Sequence, residues 1–182
     1  AHPNALECSH SILIKLLAQK QSLAEDYADS RFSVPYPTLN LGAIHGGDSA
    51  NRICSHCHID FDIRLTPNID EQSFNQTFAN LVDYQEPEIS VTLEDIHAPL
   101  PPHEVPPSSP YISLLEELTV QDCVAMNYAT EAPFIQEIGV DTFVLGPGNI
   151  AQAHQVDEYI ERDQLEKMES IIRRLIENIC GG

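Results

Sequence analysis

Basic residues are scarce. The 182-residue chain has 9 Lys and Arg against 28 Asp and Glu, a formal net charge of −19. A phosphate-binding surface needs clustered cations, so nucleic acid and anionic membrane are poor partners and neither is expected. The acid excess suits a cationic small molecule, and equally a plain soluble surface. Cysteine is sparse and odd in number: Cys8, Cys54, Cys57, Cys123 and Cys180. That is no disulfide framework and fits a reducing, cytoplasmic compartment. There is no apolar run of membrane-spanning length, no signal-peptide pattern and no internal repeat. Hydrophobic residues still make up 42% of the chain, which is globular composition, and the length suits one domain or two small ones.

What is present is a sequence of alternating periodicities. Leu6, Leu13, Leu16, Leu17, Leu23 and Tyr27 recur at helical spacing, which predicts an amphipathic helix over 4–27. Prolines in "VPYPTLNLGAIHGGDSAN" forbid helix, and "TLNLGAI" alternates as a short strand, 38–45, ending at Gly46-Gly47. "RICSHCHIDFDIR" alternates strictly. Ile53, Cys57, Ile59, Phe61 and Ile63 share one face; Cys54, His56, His58, Asp60, Asp62 and Arg64 share the other. That predicts a strand over 53–64 with a buried and a polar side. A second helix is expected over 70–83, with Asp70 at its start, and a third strand over 88–96. The order is helix, strand, strand, helix, strand. One strand before residue 1 would complete a split β-α-β-β-α-β sandwich, an α+β fold. The start without Met agrees with that expectation of a piece cut from something longer.

The proline-dense "HAPLPPHEVPPSSP" predicts a boundary between a domain of residues 1–101 and one of 102–182. Beyond it the pattern predicts a helix from Tyr111 to Thr119 and a strand near Cys123 to Tyr128. A short helical stretch near Ala132 to Glu137, a buried strand "DTFVLGPG" and a long helix from Arg162 to Cys180 follow. This second part is an incomplete α/β segment.

Several constellations carry chemistry. "CSHCH" matches a haem-attachment string, but residues three apart on a strand face opposite ways, so Cys54 and Cys57 do not converge. His56 and His58 share a strand face, as zinc ligands can, or simply face solvent. "GGDSANRI" presents Asn51 at a loop tip, or is an ordinary hairpin connection. In "NYATEAPF", Thr130 is a candidate N-cap beside Glu131, where exposed N–H groups suit a carboxylate or only cap the helix. "LGPGNIAQAHQVDEYI" leaves an apolar run in a loop, where α/β domains place ligand sites, and delivers His154 beside Asp157 and Glu158.

Taken in order, "VPYPTLNLGAIHGGDSANRIC", "DIRLTPN", "NYATEAPF" and "LGPGNIAQAHQVDEYI" resemble the acetylornithine-deacetylase branch of the co-catalytic zinc aminoacylase and carboxypeptidase family. The resemblance runs over nearly the whole chain. It implies that residues 1–101 are the family's dimerising lid without its first strand, and 102–182 the closing segment of its catalytic domain. It implies that His154 is the last metal ligand, that Asn51 reaches the partner subunit's substrate, and that Arg64 holds the substrate carboxylate. Thr130 and Glu131 would also touch substrate. The intact enzyme would hydrolyse N2-acetylornithine to ornithine and acetate with two zinc ions per site, cobalt being the alternative metal, as a homodimer through the lid. The family's other metal ligands, its Glu-Glu general base and its lid Gly-x-x-x-His motif have no counterpart here. No catalytic residue is therefore expected in this chain, and no metal held stoichiometrically by it alone. The competing expectations are a free-standing lid-type dimerisation module without catalysis, and a relative acting on another N-acyl amino acid.

Overall fold

The structure, a computed structural model, describes residues 3–84 and 88–181. The chain divides into two compact units: Ala1–His103 with Ala125–Thr130, and Glu104–Val124 with Glu131–Gly182. The short segment joins the first unit through Asn127, whose Oδ1 accepts from the Ser33 hydroxyl at 2.6 Å and from the Val34 N–H at 3.2 Å.

The first unit opens with helix α1, Ala5–Asp26. Asn4 supplies the cap, its side-chain oxygen accepting the Leu6 N–H at 3.1 Å, which satisfies one of the donors a helix start leaves open. Its buried stripe runs through Cys8, Ile12, Leu16 and Leu23. Leu6, Leu17 and Tyr27, expected on that stripe, are exposed, so the apolar face is rotated from the one predicted. Strand β1, Thr38–Gly46, pairs antiparallel with β2, Cys57–Arg64, with an irregularity between Leu41 and Ala43. Helix α2, Glu71–Val82, starts where Asp70 Oδ2 accepts the Ser73 N–H at 2.8 Å. One apolar core joins these elements: Cys8, Ile12, Leu16, Leu39, Phe78 and Val82, with Leu41, Phe61, Ile63 and Phe74 packed against it. The Phe78 ring lies 5.4 Å from that of Phe61 and 5.5 Å from that of Phe74, within the usual range for aromatic pairs. This is an α+β arrangement of helices on a small antiparallel sheet.

Two strand expectations also fail in this unit. The strand predicted from residue 53 begins only at Cys57, and its phase breaks before that point: Ile53 is 57% exposed while Cys54 is buried. The cause is local. The Cys54 carbonyl accepts the Ala5 N–H at 2.9 Å and its thiol reaches the His56 carbonyl, which turns the chain inward at 54. The strand predicted over 88–96 is not formed among the described residues, where the sheet has two strands. Ile89 packs on the core, but Leu93 and Ile96 are exposed. Alternation alone makes no strand; a ladder needs a neighbour.

The second unit contains α3, Pro110–Thr119; α4, Ala132–Gln136; a 3₁₀ turn at Ile150–Gln152; and α5, Arg162–Cys180. Leu118, Met168 and Ile171 form its small core, joined by Leu114 and Leu175. The strands expected at 123–128 and 141–148 are absent among the described residues. Val144 is 56% exposed, against the buried strand expected there; among the described residues no neighbouring strand offers a ladder.

Candidate substrate- and metal-binding residues

The connection between β1 and β2 builds a tip. Gly47 takes a left-handed φ of 73° directly after the strand, a conformation without penalty for glycine. The Arg52 N–H then donates to the Ser49 carbonyl at 3.2 Å, closing a turn that places Asn51 at its third position. The Ser49 hydroxyl donates to Asn51 Oδ1 at 2.5 Å, and Arg52 pairs with Asp48 at 2.6 Å. Residues 47–53 are exposed throughout. The base of the tip is anchored where Leu6 lies against Gly46 and Gly47.

Arg64 sits at the opposite end of the hairpin, where it opposes Thr38. It has no acid across the ladder. Its Nε donates instead to Asp62 Oδ2 at 3.0 Å, two residues back on the same face. Its side chain is 71% exposed, and among the described residues the two terminal nitrogens of the fork have no partner. The hairpin separates Asn51 from Arg64: seven residue steps from Cys57 to Arg64 cover about 24 Å of strand.

Thr130 lies one residue before the cap position of α4. The cap position is Glu131, in helical backbone conformation and without a side-chain cap bond. Thr130 is half-buried and Glu131 exposed. His154 follows the 3₁₀ turn, where Asn149 Oδ1 accepts the Ala151 N–H at 2.9 Å. It adopts a left-handed φ of 64°, a region where histidine is several-fold enriched over most side chains. His154, Asp157 and Glu158 are all exposed. Among the described residues no three His, Cys, Asp or Glu side chains are placed to hold a metal ion. A catalytic zinc takes about three protein ligands, so His154 alone does not make a centre. The Gly-Pro-Gly turn before it carries Pro147 onto α5, where with Leu165, Met168, Ile172 and Ile176 it lines an open apolar groove of about 560 Å³.

A sheet with helices packed on it, an exposed tip and a polar strand face describes an α+β module. Residues 1–90, just under half of the chain, match the family model of the peptidase dimerisation domain. Over nearly its whole length it is similar to proteins named acetylornithine deacetylase. That of Pectobacterium carotovorum subsp. carotovorum is 41% identical over 182 residues, covering 97% of this chain and 46% of the relative. That of Edwardsiella ictaluri is 38% identical over 179 residues, 97% and 46% respectively, and that of Pasteurella multocida 38% over 181 residues, 98% and 47%. The chain spans about half the length of the curated relatives it matches. The expected likeness to the acetylornithine-deacetylase branch therefore holds. Among the described residues no helix is long and apolar enough to cross a membrane.

Proposed function

We propose that this chain is the lid and the closing catalytic segment of a cytoplasmic deacetylase that hydrolyses N2-acetylornithine to ornithine and acetate. The observation that carries the reading is collinear similarity to proteins of that name over 97% of the chain. In this reading the lid comprises residues 1–101, the closing segment 102–182, and the lid pairs two copies of the protein. His154 supplies one ligand to a two-zinc centre, with cobalt as the alternative metal, and the remaining ligands come from residues outside this chain. The metal, when bound, lowers the pKa of a water molecule and polarises the acyl carbonyl.

The hairpin gives the reading a geometric consequence. One amino-acid derivative is shorter than the ~24 Å of strand between Arg64 and the tip, so Arg64 and Asn51 of one protomer serve different substrate molecules. Asn51 reaches the partner's substrate and Arg64 faces its own protomer's. The terminal nitrogens of Arg64, without a partner among the described residues, suit a carboxylate, which a planar fork binds through two parallel bonds. Thr130 and Glu131 lie where the backbone N–H groups of α4 begin, and in this reading they border the substrate.

The test is an assay of the intact protein that carries this chain, with zinc and N2-acetylornithine, reading ornithine release by mass spectrometry. We expect turnover, and for Arg64→Lys a KM raised about tenfold or more with kcat little changed, because Lys offers a point charge and no fork. No release of ornithine would sink the reading. Hydrolysis of a different N-acyl amino acid in preference would replace the substrate and keep the reaction class.

A further inference from the structure

His45 and His58 are directly opposed in the β1–β2 ladder. Opposed residues of an antiparallel pair share a face, with Cβ atoms about 4.5–5.5 Å apart. From that separation two imidazole rings can reach a single cation at metal–nitrogen distances of about 2.0–2.1 Å. The second ring is already oriented: His58 Nε2 lies 2.7 Å from Asp60 Oδ1, two residues along the same strand face. An ionised carboxylate only accepts, so this contact puts a proton on Nε2, and the tautomer that matches it has its lone pair on Nδ1. A carboxylate behind a histidine in this way is the usual outer partner of a metal-bound imidazole. The His58 side chain is 69% exposed, so the ring is accessible to solvent ions. Asp60 and Asp62 beside it, on a chain of net charge −19, favour cations over anions.

We propose that His45 and His58 form a two-imidazole surface site for a borderline divalent transition-metal ion such as Zn²⁺ or Ni²⁺, with Asp60 as the positioning carboxylate and water completing the shell. It departs from the expectation that the chain holds no metal of its own. Among the described residues no group of three ligands exists, so the site binds through two and is weaker than a structural zinc centre. The proposal rests on the ladder register and the Asp60 contact alone, and not on the deacetylase reading.

Calorimetric titration of the chain with zinc chloride, repeated with nickel chloride, is the test. We expect saturable 1:1 binding that weakens at least tenfold in His45→Gln and in His58→Gln, and about tenfold in Asp60→Ala, in line with the loss of an outer partner. His56→Gln should bind as the parent chain does. In ¹⁵N-detected histidine spectra zinc should perturb His58 Nδ1, and both ring nitrogens in Asp60→Ala. All these side chains lie on an exposed or half-exposed strand face or in exposed loops, and circular dichroism checks that each variant folds. Binding that survives both ladder histidine substitutions overturns the proposal. So does binding lost on His154→Gln or His56→Gln, perturbation of His58 Nε2 in the parent chain, or absence of saturable binding.

Discussion

Two glycines on β1 should respond in opposite directions to the same added methyl group. A Cβ built at Gly46 lies 3.0 Å from Cys57 Sγ, 3.2 Å from Cys57 Cβ and 3.2 Å from Leu6 Cδ2. The thiol and the leucine methyl can rotate away; the Cys57 Cβ is fixed to the β2 backbone, so the strands must separate by a few tenths of an ångström. A Cβ at Gly42 meets only the Asp60 carbonyl, at 3.6 Å, an ordinary contact. Neither glycine has the left-handed φ that would itself oppose a side chain. Gly42→Ala therefore restricts the unfolded chain without a clash and should stabilise by about 0.4–1 kcal/mol. Gly46→Ala gains the same entropy term but overpacks a site joining β1, β2 and the start of α1. Overpacking costs about 1–3 kcal/mol, which leaves a net loss of roughly 1–2 kcal/mol. Urea titration followed by far-UV circular dichroism reads both, and the free-energy gap between the variants should be about 1.5–3 kcal/mol. Equal midpoints, or Gly46→Ala as the more stable, would refute the contact reasoning. Adding Leu6→Ala to Gly46→Ala should recover little, because the obstacle that cannot move is on β2.

Leu16 is fully buried between the helices and the sheet, so Leu16→Ala should cost about 2–5 kcal/mol by urea titration, and a cost below ~1 kcal/mol would place it outside the core. The carboxyls of Asp29 and Asp70 are both held below the ordinary range, Asp29 by hydrogen bonds from the Arg31 side chain and then its N–H, Asp70 by the Ser73 side chain and then its N–H. A depressed folded-state pKa stabilises above the unfolded value of about 3.9 and is lost as pH falls through the folded one. Stability from these groups should thus hold at neutral pH and decline below about pH 4, with a shallower acid decline in Asp70→Asn; identical slopes would contradict the assignment. In the intact protein His154→Ala should remove one metal equivalent by elemental analysis and most deacetylase activity, and full retention of both would remove His154 from the proposed centre.

The helices were legible because their signals are local. A 3.6-residue apolar recurrence, with Asn4 and Asp70 at the starts of α1 and α2, is contained within the segment it describes. α5 runs from Arg162 to Cys180 as its pattern predicts, and the alternation of β2 holds from Cys57 to Arg64, with His58, Asp62 and Arg64 facing out. Which turn of α1 is buried was less legible, since that depends on what packs there: Phe78 and Leu39 select the Ile12–Leu16 side over Leu17. The chemistry-bearing residues were less legible still. Asn51, Arg64, Thr130, Glu131 and His154 came from resemblance, and local pattern left each with a plain structural reading. The opposed pair His45 and His58 was missed because the sequence offers His56 and His58 at strand spacing, while the partner that shares the ladder lies thirteen residues back in the other strand.

The lost strands show where such legibility ends. Ile89, Val91 and Leu93 alternate as clearly as Ile59, Phe61 and Ile63, yet only the second set lies in a strand. The difference is not in propensity. Ile59 opposes Ile44, Phe61 opposes Leu41 and Ile63 opposes Leu39, so every step of β2 has a backbone to bond. No such neighbour runs beside 88–96 among the described residues, and within that segment Ile89 is the residue packed against the core. A helix satisfies its amides within itself, whereas a strand is a property of two segments. Alternation therefore states which face a segment would bury if it were paired. A pairing strand from any source should convert 88–96 into a ladder with Val91 and Ile89 facing the same way, and slowed amide hydrogen exchange across Ser90–Leu93 in the intact protein would register it. Amides there that exchange at the rate of an open loop would show that the alternation is surface pattern only.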